Sequence, residues 1–338
     1  MGFPLRTEIK MKQNKKNSMK SKLYNRIAAA LLLITGIMMT GNGCDALIYE
    51  DMLDCPQGVY LKFYTKTPCD TDTLYPADIS NLNVFVFDEN DRFVADYTEE
   101  NVTLSSGYEM LIPIYPHGKY SFVAWANVDN HYEMKNLQQG TTTKENLLLQ
   151  LKQSAGMAVD LKGETLYAGT SDYVFLPDPE SVLGAFYEHT SIRLTQYVNR
   201  IDVIVEGFAV PQDYKVEITM RNGDYAVNGD ILLNGDAMQY PPEYSYGDST
   251  LTAKFNTLKL ETGYDDWLTL KGKEDEVLYH EDLLGTLLLQ NPDVNLSCDH
   301  DFVIRFKVKE NDDTYVVTEV WVNDWLIHSY DTEIDSDY

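Results

Sequence analysis

Cys44 has the most distinctive chemical setting in this 338-residue sequence, because it follows the small residues Gly41-Asn-Gly43 and the apolar run Ile27–Thr40. Eight basic residues and one acidic residue precede that run. A basic segment, a short apolar run and small residues before a cleavage point are typical of a secretory signal peptide. The run of 14 residues is too short for a membrane-spanning helix, which needs roughly 20. We therefore expect residues 1–43 to be a signal peptide.

The position of Cys44 also predicts lipidation. Cleavage before this cysteine would free its amino group, and acyl chains could then be attached to that group and to the thiol. Each buried methylene contributes about 0.8 kcal/mol, so two or more chains anchor a protein stably. Gly41 stands where a leucine is usual, so an ordinary signal peptide followed by a chance cysteine remains the alternative.

Other reactive residue types form no recognisable motif. No two of the six histidines have the i, i+4 spacing of a zinc helix, and Cys-x-x-Cys is absent. The sequence contains neither Gly-x-Ser-x-Gly nor a glycine-rich phosphate loop. Asp88–Asp91 lacks the glycine and the distal glutamate of an EF-hand loop, and adjacent acids such as Asp265-Asp266 do not identify a catalytic dyad. We expect no catalytic residue, no bound metal and no cofactor.

The four tryptophans allow two interpretations. They could form a platform on which sugars stack, or they could pack in the core, which is the commoner place for tryptophan in alternating strands. They are Trp125, Trp267, Trp321 and Trp325.

The charge of the chain excludes some classes of partner. The net charge is −26, and without residues 1–43, which hold eight basic and one acidic residue, it is −33. Nucleic-acid binders carry basic patches, and basic segments bind anionic lipid surfaces, so neither nucleic acid nor electrostatic membrane adsorption is expected. About 295 residues after the signal peptide favour two domains. The 24 tyrosines and 12 phenylalanines, with many valines and threonines, favour strands.

Three cysteines remain after Cys44: Cys55, Cys69 and Cys298. The chain from Cys55 to Cys69 spans roughly 46 Å when extended. The Cα atoms of a disulfide must lie within about 7 Å. These two cysteines therefore cannot pair unless the predicted strand between them bends back. An odd count leaves at least one free thiol. We expect all three to be buried or incidental rather than a disulfide framework.

Alternation of apolar and polar residues predicts an all-β fold. Gly58–Thr65 is a half-buried strand, and hairpins are expected at Leu82–Tyr97, Tyr108–Asn127 and Asp301–Asn323. Leucines at helical spacing within Val277–Gln290 predict the single convincing helix.

Two further patterns concern domain organisation. His189–Gly207 is too long for one strand, so a last strand of one domain is expected to pass directly into the first strand of the next. We therefore predict an acidic tether at 44–56, a first β-sandwich at 57–196 and a second at 197–338.

Asn-Gly-Asp recurs at Asn222, Asn228 and Asn234. We interpret the repeat as the turns of a tight meander, because Asn-Gly favours hairpin turns. A metal-binding or hexapeptide repeat is the alternative.

Five segments in order resemble the fimbrial anchor and accessory proteins of the Bacteroidales. They are Cys55–Phe63, Leu82–Asp88, Tyr120–Asn127, Val198–Val203 and Val320–Trp325. The resemblance covers nearly the whole chain after the signal peptide. Asp324 replaces a glycine that is frequent in the family, which concerns only the turn at that position.

This resemblance implies two transthyretin-like antiparallel β-sandwich domains, with one short helix expected in the second. It also implies an outer-membrane lipoprotein, held by lipid on Cys44, that attaches fimbrillin subunits at the base of a fimbrium or assists their assembly. An unpaired sheet edge could accept a fimbrillin strand. A glycan-binding surface lipoprotein of a carbohydrate importer, and an adhesin subunit for a host ligand, remain alternative hypotheses.

Overall fold

The computed structural model describes residues 56–181, 184–311 and 314–330. The predicted signal peptide and nearly all of the predicted tether lie outside these residues. The chain divides into two units, 1–57 with 177–186 and 58–176 with 187–338. In the described part of the first unit, the Phe186 amide donates to the Pro56 carbonyl at 3.1 Å. The second unit holds nearly all of the described strands.

The fold is all-β, as predicted. The strands before residue 177 are β1 (Gln57–Thr65), β2 (Asn81–Phe87), β3 (Phe93–Glu100), β4 (Met110–Pro113), β5 (Gly118–Ala126), β6 (Tyr132–Met134), β7 (Leu147–Leu151), β8 (Gln153–Ser154), β9 (Met157–Ala158), β10 (Tyr167–Thr170) and β11 (Val174–Leu176). The later strands are β12 (Phe186–Gln196), β13 (Asn199–Glu206), β14 (Lys215–Met220), β15 (Asp224–Ala226), β16 (Met238–Tyr240), β17 (Glu243–Tyr246), β18 (Thr250–Thr257), β19 (Asp266–Lys271), β20 (Val277–Asp282), β21 (Asp301–Asn311), β22 (Thr314–Val322) and β23 (Trp325–Ser329). Helical turns occur at Pro179–Ser181, Pro211–Asp213, Leu283–Leu287 and Leu288–Gln290.

These strands form four sheets. The first has the order β3-β2-β5-β10-β12-β1-β4, with β11 also beside β5. The second runs β17-β18-β13-β21-β22-β23, the third β20-β19-β14-β16-β9-β8 and the fourth β15-β7-β6. Most pairs are antiparallel, but β13–β21 and β16–β9 are parallel, which the prediction of purely antiparallel sheets did not include.

Several predicted strands are confirmed because their alternation matches their burial. In β1, Val59, Leu61 and Phe63 are buried, whereas Lys62 is exposed. The hairpins β2–β3 and β21–β22 are both present. Period-two patterns therefore identified these strands correctly.

The predicted hairpin at 108–127 is wrong. Its first strand, β4, pairs with β1, and its second strand, β5, pairs with β2 on one edge and with β10 and β11 on the other. Alternation reveals the faces of a strand but not which strands pair with it. The strand β5 lies inside its sheet, between β2 and β10. Pro113 lies in the edge strand β4, as expected for a residue that cannot donate a ladder hydrogen bond.

The predicted helix at 277–290 is half wrong. Val277–Asp282 is β20, and the helical part is a single π-helical turn, Leu283–Leu287, followed by a 3₁₀ turn. Asp282 begins the turn by accepting hydrogen bonds from the amides of Gly285 and Thr286. Leucine spacing indicated the buried face correctly but not the point at which the strand ends.

The three Asn-Gly-Asp copies differ in structure, so the tight meander is also wrong. Asn228 makes a tight turn in which its side chain accepts from the Asp230 amide. Asn222 is buried instead, and its amide group donates to the Lys259 carbonyl while its oxygen accepts from the Tyr240 hydroxyl. The motif therefore lies in turns at Asn228 and Asn234, and in a core hydrogen-bond network at Asn222.

One hydrophobic core runs through the second unit. Trp125 is fully buried against Tyr197 and Tyr225, at ring distances of 5.4 and 5.8 Å, and its Nε1 donates to the Val227 carbonyl. The second and third sheets also meet, since the ring of Tyr279 lies 4.9 Å from that of Phe306.

The predicted boundary at 196/197 falls between two strands. The strand β12 ends at Gln196, and β13 begins at Asn199 in another sheet. However, β7 pairs with β15, and β9 pairs with β16, across that position. The division into domains at 57–196 and 197–338 therefore stays a prediction.

Candidate functional site

The predicted lipidation site, Cys44, lies outside the described residues, and so does Cys55. Within the described residues, no helix combines the length and the apolar character that crossing a membrane requires. The described residues lie mostly in strands, so the sheets are the surfaces considered for a protein partner.

Nine described strands have a neighbour on one side only: β3, β4, β6, β8, β11, β15, β17, β20 and β23. An edge strand presents unpaired backbone N–H and C=O groups, which another chain can use to add a strand. Proteins normally block such edges with charges, prolines, bulges or short length. The edges that lack these features are the candidates for subunit binding.

Charge or proline blocks most of the edges. The strand β3 carries Asp96, Glu99 and Glu100, and β4 ends in Pro113. The strand β17 begins with Glu243, whose carboxylate pairs with Lys162 at 2.8 Å. Acidic residues also lie in β6, β15 and β20, and β8 has two residues only.

The strand β23 carries neither charge nor proline. Its sequence is Trp-Leu-Ile-His-Ser, and Trp325 and Leu326 are 49% and 41% exposed. In the described chain, β22 is its sole partner strand. A bulge at Ile327 interrupts the pairing, but β3 and β20 contain bulges too. Composition and length together, and not the bulge, separate β23 from the other edges, since the uncharged edge strand β11 has only three residues.

A two-residue turn fixes the direction of β23. Asn323 and Asp324 both have positive φ, 45° and 63°, which is the conformation of a type I′ hairpin turn. The Asn323 side chain accepts from the Val303 amide at 2.8 Å, and its own amide donates to the Val303 carbonyl. Asp324 stands where glycine is frequent in the family. It keeps the turn that Asn-Gly would form, because aspartate tolerates the left-handed region better than most residues.

A disulfide joins Cys69 to Cys298, with Cα atoms 6.0 Å apart. The expectation that both are buried or incidental is wrong. The length of the extended chain argued only against the pair Cys55–Cys69. The pair Cys69–Cys298 is 229 residues apart, and such a separation leaves no local pattern in the sequence. Export to an oxidising compartment, which the predicted signal peptide implies, was the available signal.

The disulfide lies in the wall of an open cleft of about 900 Å³. The other walls come from the loop after β1, the end of β12 and residues 259–262 and 296–300. Lys259 is paired with Glu261 at 2.6 Å, and burial lowers the pKa of His300. The titratable side chains that line the cleft form no catalytic arrangement.

The acid pair named from the sequence has a structural role. Asp266 is 4% exposed, and its Oδ2 accepts from the Leu284 amide at the start of the π-helical turn. Burial, together with the neighbouring Asp282 carboxylate, raises the pKa of Asp266 to about 8. The carboxylates of Asp266 and Asp282 thus accept from the amides of the π-helical turn Leu283–Leu287.

One group of potential metal ligands occurs among the described residues. Asp129, His131 and Glu164 bring one ligand atom each within 4.8 Å of one another. His131 Nδ1 already lies 2.7 Å from Asp129 Oδ2 within a turn. This carboxylate–imidazole pair accounts for the closeness of Asp129 and His131.

The tryptophans do not form a sugar platform. Trp125 is buried, and Trp267 stacks on His280 in the third sheet at 4.7 Å. In the second sheet, Trp321 pairs with Leu326, and Trp325 pairs with Val322. Adjacent register positions point to opposite faces of a sheet, so Trp321 and Trp325 face opposite ways.

The sequence of the chain is similar to those of known proteins. Residues 52–331 match the family model of fimbrillin-A associated anchor proteins Mfa1 and Mfa2. The minor fimbrium anchoring subunit Mfa2 of Porphyromonas gingivalis is 36% identical over 326 residues, covering 94% of this chain and 100% of that protein.

Solved structures give the same result. The fimbrial anchor protein Mfa2 from P. gingivalis matches with a TM-score of 0.77 and 38% identity, over 82% of this chain and 100% of that one. A DUF1812 protein from Bacteroides thetaiotaomicron has a TM-score of 0.66 and 21% identity, over 82% and 99% of the two chains, which is a likeness of fold.

Proposed function

Because this chain belongs to the family of fimbrillin-A associated anchor proteins, we propose that it is a lipid-anchored structural subunit that attaches fimbriae to the outer membrane. The observation that carries this proposal is the 36% identity to a minor fimbrium anchoring subunit along the full length of that protein. The similarity to an anchoring subunit supports a structural, non-enzymatic role.

The proposed anchor has two parts. Lipid on Cys44 holds the N-terminus in the outer membrane, because two or more acyl chains bind a bilayer stably. The β-sheets bind a fimbrillin subunit of the shaft, in part by accepting a strand at an exposed edge. Main-chain hydrogen bonds at that edge supply affinity, and side chains on alternate positions supply specificity.

Deletion of the gene, followed by complementation, tests this function. We expect the deletion strain to release fimbriae into the medium, or to change their number or length, and the complemented strain to restore them. Unchanged number, length and retention of fimbriae in the deletion strain would contradict the proposal. Antibody against an unrelated outer-membrane protein controls for general shedding of membrane.

A further inference from the structure

The features of β23 carry a more specific inference, which rests on the function proposed above. We infer that the edge of β23 is the site at which a strand of the fimbrial shaft subunit is added. The composition of this edge, its exposure and the charge beside it support the inference.

The first step is the comparison of edges. Six of the other eight described edge strands carry an acidic residue or a proline, and the remaining two, β8 and β11, have only two and three residues. An uncharged edge invites pairing with another chain, which folded proteins normally prevent. Five uncharged residues at the end of a six-stranded sheet are therefore best explained by a partner that covers them in the assembled fimbrium.

The second step is the exposure of apolar side chains on both faces of this edge. Trp325 pairs with the buried Val322, whereas Leu326 pairs with Trp321 on the opposite face. Both side chains are more than 40% exposed. An added strand with apolar residues at successive positions would cover the two faces together, since its side chains also alternate.

The third step is charge. Asp324, 88% exposed at the side chain, precedes β23, and the sequence continues after Tyr330 with Asp331-Thr332-Glu333. An incoming strand with an apolar centre and basic residues at its ends fits this arrangement. A second copy of this chain does not, because each copy has a net charge of −26 and two such copies repel each other.

Hydrogen exchange of the full-length lipidated chain in detergent tests the inference, with fimbriae sheared from the source strain as the probe. The Tyr330 amide already donates to the Thr318 carbonyl, so the test concerns the amides of 326–329 that do not pair with β22. We expect those amides to exchange at least tenfold more slowly when fimbriae bind, while those of the edge strand β20 do not change. Protection of the same amides in dilute isolated chain would assign the edge to a segment of the chain itself. Protection that rises with chain concentration alone would assign it to a second copy, and either result would overturn the inference.

A matched pair of variants separates the edges. Leu326→Lys and Val277→Lys each place a lysine on an exposed apolar edge position, 41% and 60% exposed. With unfolding midpoints equal to wild type, we expect Leu326→Lys to capture at least tenfold fewer fimbriae, and Val277→Lys to stay within twofold.

Normal capture by Leu326→Lys would overturn the assignment to β23 while leaving the anchoring function intact. If wild-type protein captured no fimbriae and deletion had no effect on them, the function itself would fail, and this inference with it.

Discussion

Cys69 and Cys298 are covalently joined although 229 residues separate them in the chain. The bond ties the loop after the first strand to the loop before β21, and both loops line the cleft. The disulfide thus connects segments near the two ends of the described chain.

Loss of this bond is expected to destabilise the fold. Replacing Cys69 with Ser removes a crosslink that restricts the unfolded chain, and removal of a native disulfide typically costs about 2–5 kcal/mol. Chemical denaturation should show a lower free energy of unfolding, and reductant should have the same effect on wild type but none on the variant. Ser297→Ala, beside the bond, is the control, and equal stability of Cys69→Ser and wild type would refute the structural role.

The second Asn-Gly-Asp copy offers a sharper test of local geometry. Gly229 has a φ of 91°, and a Cβ there would lie 2.2 Å from the Tyr197 hydroxyl, whose donor bond goes to the Gly229 carbonyl. We expect Gly229→Ala to cost more than about 2 kcal/mol, because strain and steric overlap add.

Gly235→Ala, in the next copy, is the matched control. Its φ is not positive and its nearest neighbour would be Asp224 Oδ2 at 3.2 Å, so a small effect is expected. Thermal unfolding of the two variants compares them, and equal midpoints would count against this description of the turn.

Asp266 predicts a pH dependence of stability. Because its pKa rises to about 8 in the folded state, that state binds the proton more tightly than the unfolded state does. Stability from this group is therefore greatest below the unfolded pKa of 3.8 and declines as pH rises towards 8. Asp266→Asn, which keeps an acceptor for the Leu284 amide, should gain about 2 kcal/mol over wild type at pH 7.5.

Denaturation at pH 4.5 and 7.5 measures that difference. The neighbouring Asp265→Asn removes an exposed ion pair with Arg221 and should show no such pH-dependent gain. An equal difference in unfolding free energy between Asp266→Asn and wild type at both pH values would contradict the raised pKa of Asp266.

The turn before β23 tests the one departure from the family pattern. Asp324 has a φ of 63°, which glycine adopts without cost. Asp324→Gly should stabilise the protein by roughly 0.5 kcal/mol, and Asp324→Ala should destabilise it. A lower denaturant midpoint for Asp324→Gly together with an unchanged or higher midpoint for Asp324→Ala would contradict a left-handed conformation at this position.

Local patterns and long-range pairing differ in how well the sequence predicts them. Alternation in β1 and β21 follows from the period of a strand, so it is visible within a few residues. The pairing of β4 with β1, and the bond between Cys69 and Cys298, depend on chain segments far apart. No periodicity records such contacts, and this is why the hairpin at 108–127 was assigned wrongly.

The candidate edge shows the same division. The composition of β23 is readable in the sequence, but the hairpin predicted there ended at Asn323 and did not include β23. That β23 ends a six-stranded sheet depends on the order of the other five strands. Burial likewise decided that Asp266 holds a helix end rather than serving as half of a catalytic pair.

Membrane attachment through Cys44 is the part of the account that one measurement tests most directly. Cells expressing Cys44→Ala, with Cys55→Ser as the matched cysteine control, are separated into membrane and soluble fractions, and fimbriae are counted on cells and in the medium. The account predicts that Cys44→Ala leaves the outer-membrane fraction and that fimbriae move to the medium, while Cys55→Ser behaves as wild type. Cys44→Ala protein that stays in the outer membrane with fimbriae retained on the cells would contradict it.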